Sequence, residues 1–197
     1  MLRVSAVLLA AILAFGLVFS LLPAGAELGR SGVTLQHVRL SLYPAQDPKA
    51  VWRFEAGQVR VNPELDENTL DRLGQGQRVV QDPDGTERTD LTLSASQLII
   101  DKDSNLRTSQ ARLYVVADCI SLDMRSVGSK QVMINQQGGF FGPYVKVDSP
   151  SLRLEYDDMS ANFDLSNTSG SQREGGEVYS TPTAECLNGK AIPRKAP

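Results

Sequence analysis

From residue 33 onward apolar and polar positions alternate with a period close to two, the spacing of strands that bury one face. Val33 and Leu35 share one parity and Val38, Leu40 and Leu42 the other, so a bulge at Gln36-His37 is predicted to keep both sets on one face. The stretch from Pro44 to Pro48 ends that strand. Trp52, Phe54 and Ala56 then alternate, and after Gly57 the parity reverses again to Val59 and Val61. The same design recurs in Leu91-Leu93-Ala95, Leu98-Ile100, Leu113-Val115-Ala117, Ile120-Leu122, Val145-Val147 and Leu152-Leu154. Turn signals separate these runs at Asp82-Pro83-Asp84-Gly85, Asp103-Ser104-Asn105 and Gln137-Gly138-Gly139. The pattern predicts an all-β, antiparallel domain.

One segment departs from it. Asn62-Pro63-Glu64 places an N-cap, an N1 proline and acidic residues ahead of Leu65, Leu70 and Leu73, with Gly74 as terminator, which predicts one short helix inserted between strands. Beyond Thr168 the chain is polar, carries Pro182, Pro193 and Pro197 and has no sustained apolar period, so 168–197 is expected to be a mostly flexible tail.

The chain also repeats itself. Phe54 to Asn62 aligns with Leu93 to Asp101 and again with Val147 to Glu155: an apolar residue leads through a small residue and a tight jog into a new alternating strand with a polar or acidic end. Such units cannot cover their apolar faces singly, and stacked side by side they make a sheet folded over a hydrophobic trough. The run Leu91-Thr92-Leu93-Ser94-Ala95-Ser96-Gln97-Leu98-Ile99-Ile100-Asp101 resembles the recurring unit of the OstA-like domains, which include LptA-like and LptC-like proteins of lipopolysaccharide export. The resemblance covers about residues 33–165. It implies a twisted β-jellyroll that shelters lipid acyl chains. The implied partners are an envelope lipid, other OstA-like domains or a lipid-export ABC transporter, and the inner membrane through the N-terminal segment. The predicted helix at Asn62 to Gly74, the Gly138-Gly139-Phe140-Phe141-Gly142 loop and the cysteine-bearing tail depart from that family's pattern.

The N-terminus gives the compartment. Met1 to Arg3 is a short positive start, Val4 to Leu22 is uncharged, Pro23 breaks the helix and Ala24-Gly25-Ala26 forms a small-residue cleavage site. The small-residue site favours a cleaved signal peptide over residues 1–26, while a 19-residue helix is about 28 Å long, close to a hydrocarbon core of about 30 Å, so an uncleaved membrane anchor also fits. Either way 27–167 forms the exported β domain, periplasmic or otherwise extracytoplasmic. Of 197 residues, 20 are basic and 23 acidic with no basic block, which excludes a nucleic-acid partner. One histidine and two cysteines are too few for a multi-ligand metal or haem site, and no cofactor is expected.

No catalytic group is assembled. Asp101-Lys102-Asp103-Ser104-Asn105 begins like a calcium loop, but Leu106 stands where glycine is needed and Arg112 where a bidentate glutamate is needed, so a hairpin turn is expected. Asp157-Asp158 reads as a turn, His37 as a strand residue at the bulge, and Gly138 to Gly142 as a hairpin loop. Cys119 and Cys186, an even pair in an exported chain, are expected to form a disulfide that pins the tail. On parity the trough lining comprises Leu40, Leu42, Trp52, Phe54, Leu93, Leu98, Ile100, Leu113, Val115, Leu152 and Leu154. These residues would serve a non-enzymatic carrier of lipid chains; the same residues equally fill the closed core of a structural or protein-binding module.

Overall fold

The computed structural model describes residues 32–44, 47–135, 138–174 and 184–193; the expected export segment at 1–26, Gln137 of the third turn signal, and 175–183 and 194–197 of the expected tail lie outside the described residues. Thirteen strands form one antiparallel sheet: β1 (Thr34–Leu42), β2 (Ala50–Asn62), β3 (Glu67–Leu73), β4 (Gly76–Gln81), β5 (Glu87–Ser94), β6 (Gln97–Ile100), β7 (Asn105–Thr108), β8 (Gln110–Val115), β9 (Ile120–Arg125), β10 (Val132–Asn135), β11 (Gly139–Asp148), β12 (Arg153–Asn162) and β13 (Ser169–Gln172). The order is that of a meander. Along β2, residues 56–62 pair with β3 and residues 50–53 with β4, so β3 and β4 are one passage of chain. The successive pairs β5/β6, β7/β8 and β9/β10 continue in the same way, and β11 and β12 are each a single long strand that spans a whole passage.

Every passage is interrupted near its middle, and the interruptions line up into a seam across the sheet. His37 (φ 52°) stands between the pairs Gln36–Gln58 and Val38–Ala56, hence opposite Gly57. Gly57 in turn faces Arg72 (φ 53°), whose N–H donates to the Ser96 carbonyl at 3.1 Å. The Thr108 hydroxyl donates to the Gln97 carbonyl at 2.7 Å, and the Ser126 N–H to the Ser109 carbonyl at 2.8 Å. The line ends at Pro143 opposite Asp158 (φ 51°) and at Gly170 (φ 137°). Crossing the seam reverses the inward parity: Trp52, Phe54 and Ala56 give way to Val59 in β2, Leu91 and Leu93 to Leu98 and Ile100, and Leu106 to Ala111, Leu113 and Val115. This is the physical origin of the parity changes in the sequence. At His37 the β1–β2 register is continuous, so the expected bulge is instead a positive-φ kink.

The sheet covers its own apolar face. Trp52, before the seam in β2, and Phe163, just past the far end of β12, meet edge to face with ring centroids 5.8 Å apart, and the Arg78 guanidinium of β4 lies 5.0 Å above the Phe163 ring. The two halves therefore close on one another as flaps. Between them Trp52, Leu70, Leu93, Leu98, Leu106, Leu113, Leu122, Met124, Val132, Ile134 and Val145 have no exposed surface. The outer face carries cross-strand ion pairs instead, among them Arg39–Glu55, Arg60–Asp71 and Arg112–Asp123 at 2.9, 2.9 and 2.6 Å.

Three expectations are corrected. The predicted helix at Asn62 to Gly74 is a hairpin: the Asn62 Oδ1 accepts the Glu64 and Leu65 N–H groups at 3.1 and 3.4 Å, Asp66 takes φ 51°, and β3 pairs on both edges, with Leu70 between Val59 and Leu98. An asparagine followed by proline caps a helix or closes an Asx turn equally well, and two ladders outweigh the local preference. The Gly138 to Gly142 segment belongs to β11 from Gly139 on, with Phe140 buried. Asp157 and Asp158 lie within β12, Asp158 forming the kink rather than a turn. The calcium-like segment is a hairpin turn, where the Asp101 Oδ1 accepts from the N–H groups of Asp103 and Asn105.

Two parts of 168–197 are regular: β13 extends the sheet, and Ala184–Leu187 (β14) with Lys190–Pro193 (β15) forms a separate hairpin. Cys119 and Cys186 form a disulfide, Cα to Cα 5.5 Å, that ties this hairpin to the β8–β9 turn, and the Tyr114 hydroxyl donates to the Gly189 carbonyl at 2.8 Å.

Candidate functional site

The interior between the flaps is built by the seam. Because inward parity reverses there, the apolar residues on both sides of each passage face the same space. Of the residues chosen on parity, Trp52, Phe54, Leu93, Leu98, Ile100, Leu113 and Val115 lie in this interior, none above 5% exposed. Leu40, Leu42 and Leu154 pack against it half-buried, near the two ends of the meander. Leu152 does not belong: it precedes β12 in a turn closed by Ser149, whose hydroxyl accepts the Leu152 N–H at 2.9 Å, and it is 36% exposed.

Packing is tight in the middle and loosens toward the β1 end. Trp52 stacks on Phe54 with centroids 5.7 Å apart, and a Cβ placed on Gly76 would lie 2.7 Å from the Phe54 ring, so nothing larger than glycine fits there unless that ring moves. Val38, Leu40 and Leu42 are half-buried, and Val33 and Leu35 are exposed at the strand that ends the sheet.

Sequence reasoning missed the second half of the lining. Leu70, Leu106, Met124, Val132, Ile134, Phe140, Met159 and Phe163 are buried in the same interior. Period-two spacing at Leu122-Met124 and Val132-Ile134 carried that signal; Phe163, just past a strand end, gave none.

Among the described residues the buried polar side chains are Arg78 and Thr108. Thr108 is satisfied at the seam, where its hydroxyl meets the carbonyls of Gln97 and Gln110. Arg78 lies inward between Trp52 and Leu91, its registered neighbours, and bridges the carboxylates of Asp47 and Asp90. Asp90 is the extra residue of a bulge, since Arg78 pairs with Leu91 and Val79 with Thr89. Burial pushes the Asp90 carboxyl above the usual carboxylate range, against the pull of Arg78 and Arg88. Beside this cluster is a cavity of about 460 Å³ lined by Arg78, Arg88, Asp90, Leu91, Asp118 and Phe163, together with Val115, Ala117, Gly138, Asn162 and Asp164.

Compared with protein-family models and with curated proteins, the sequence matches none of them.

Proposed function

We propose that the protein is a non-enzymatic component of the cell envelope, an OstA/LptC-like β-jellyroll that shelters lipid acyl chains between its two flaps and passes them across the periplasm. The observation that carries this reading is the gradient of packing along the interior. The middle is closed by Trp52, Phe54 and Phe163, while Val33, Leu35, Val38, Leu40 and Leu42 present an apolar mouth at the β1 end. An aliphatic chain laid against such a surface gains about 25 cal/mol per Å² buried without any directional contact. The disulfide between Cys119 and Cys186 supports an oxidising compartment, and the apolar run from Val4 to Leu22 supports export or anchorage at the inner membrane. In this reading the exposed edge of β1 docks with another OstA-like domain or with a lipid-export ABC transporter by strand addition.

A second reading has its own observation. The central side chains have no exposed surface, which favours a closed core and a protein-binding module that uses its sheet edges alone. Native mass spectrometry with lipid extraction on the purified full chain separates the two. Co-purified acyl lipid that is lost in Leu40→Arg, with circular dichroism unchanged, supports the carrier. A lipid-free protein, or lipid retained by the variant, rejects the mouth as the carrier site.

A further inference from the structure

A second cavity lies on the seam at its β1 end, and the groups around it are donors. We propose that it binds a phosphate group, free or carried on a lipid head group.

The backbone builds the site. His37 (φ 52°) and Arg72 (φ 53°) are kinked into the left-handed region on either side of Gly57, at positions where the kink itself requires no particular side chain. Both carry N–H donors. The cavity, of about 590 Å³, is lined by these two residues and by Arg39, Glu55 and Gly57 among others. A Cβ on Gly57 would lie 3.1 Å from the Arg72 Nε and 3.4 Å from its Cζ, so the guanidinium lies directly on the bare strand. The strands β1 and β3 flank β2 and stand two strand spacings apart, about 10 Å, a gap that long side chains from both sides close around one small ion.

Its charges are unbalanced. Arg53 and Arg60, the arginines of β2, each meet a carboxylate, Glu87 at 3.0 Å and Asp71 at 2.9 Å. Arg72 meets none among the described residues, since Asp71, next to it in sequence, accepts from Arg60 and Gln97 instead. The carboxylate that lines the cavity, Glu55, is held by Arg39 at 2.9 Å. Two guanidiniums therefore face one carboxylate, with the His37 imidazole as a further N–H donor. A cation would find that carboxylate already matched. A planar carboxylate ligand is served by a single guanidinium fork, whereas donors reaching in from both sides of Gly57 match oxygen atoms that point in several directions, as those of a phosphate do. None of His37, Arg39, Glu55 and Arg72 belongs to the apolar interior, so the proposal stands apart from acyl carriage.

His37 is the single histidine of the chain and a built-in reporter. The test is a titration of the full chain with inorganic phosphate at fixed pH and ionic strength, followed by the NMR signals of the His37 imidazole and by calorimetry, with chloride as the control anion. The expected result is a saturable shift with a Kd of about 1 mM, weakened about tenfold in Arg72→Gln and strengthened about threefold in Glu55→Gln, which releases Arg39. Arg72 is exposed, so its variant is expected to keep the unfolding midpoint of the parent. Tighter binding of dihexanoylphosphatidic acid than of glycerol 3-phosphate would assign the phosphate to a lipid head group; equal or weaker binding would assign it to a free phosphate. No saturable shift, an equal response to chloride, unaltered affinity in Arg72→Gln, or affinity in Glu55→Gln that fails to rise would overturn the site.

Discussion

Phe163 lies edge-on to Trp52 with ring centroids 5.8 Å apart and planes at 66°, joining the last full strand of the meander to the second. The same ring covers Arg78. One side chain therefore contacts residues of the opposite flap in two adjacent strands.

Phe163→Ala is expected to destabilise the fold by about 3–5 kcal/mol, the usual cost of an aromatic lost from a core, and Phe163→Leu by much less. Chemical denaturation measures the cost, and a red-shifted Trp52 emission in the alanine variant locates it. Equal stability of both variants with unshifted emission would show that this contact does not close the flaps.

Arg78→Met removes the cation between Asp47 and Asp90 and leaves their charges facing an apolar ring. A cost of about 3–5 kcal/mol is expected at pH 7. The folded state holds the Asp90 proton more tightly than the unfolded chain, whose carboxyl titrates near 3.8. The contribution of this group is thus complete below 3.8 and is lost as pH rises through its elevated folded value. In the variant, without the opposing pull of Arg78, the loss is expected to be larger, so the stability gap to the parent narrows at low pH. A gap constant from pH 3 to pH 7 would contradict this.

Asp71 shows the opposite sign. A hydrogen bond from Gln97, 2.7 Å, and then those from Arg60 hold its carboxyl below 3.8 despite some burial. Its stabilisation is present above 3.8 and is lost as pH falls through the lowered folded value. Unfolding midpoints of Asp71→Asn are expected to fall less steeply than those of the parent between pH 4 and pH 2. Parallel curves would remove Asp71 from the acid response.

The disulfide spans 67 residues, for which chain entropy gives about 4 kcal/mol. Cys119→Ser with Cys186→Ser is expected to lower the unfolding temperature and to speed amide exchange selectively in 184–193, because the Tyr114 hydroxyl bond to Gly189 is then a main remaining tether. Thiol titration of the unreduced, unfolded parent should find no free thiol. Uniform exchange behaviour in the double variant would mean that the hairpin docks without the bridge.

The strands and their inward faces were legible because period-two alternation is a local property, and the parity reversals at Gly57 and near Ser96 were visible as such. Their meaning was not. Only the pairing of neighbours shows that His37, Gly57, Arg72 and Ser96 fall on one line, so that separate irregularities become a single seam. The Asn62-Pro63-Glu64 helix signal failed for the same reason in reverse, since capping chemistry is local and the two ladders on β3 are not.

By itself the amino-acid order determined the β class, the buried parity of most strands, the turn at Asp101 to Asn105 and the pairing of two lone cysteines, all consequences of side-chain alternation and local hydrogen bonding. Tertiary structure decided which apolar residues are sealed and which, such as Leu152 and Leu35, stay in solvent, and it placed Arg78 inward. The physical reason is that burial depends on what lies opposite. That is fixed when distant chain segments such as Trp52 and Phe163 meet, and no window of sequence contains both.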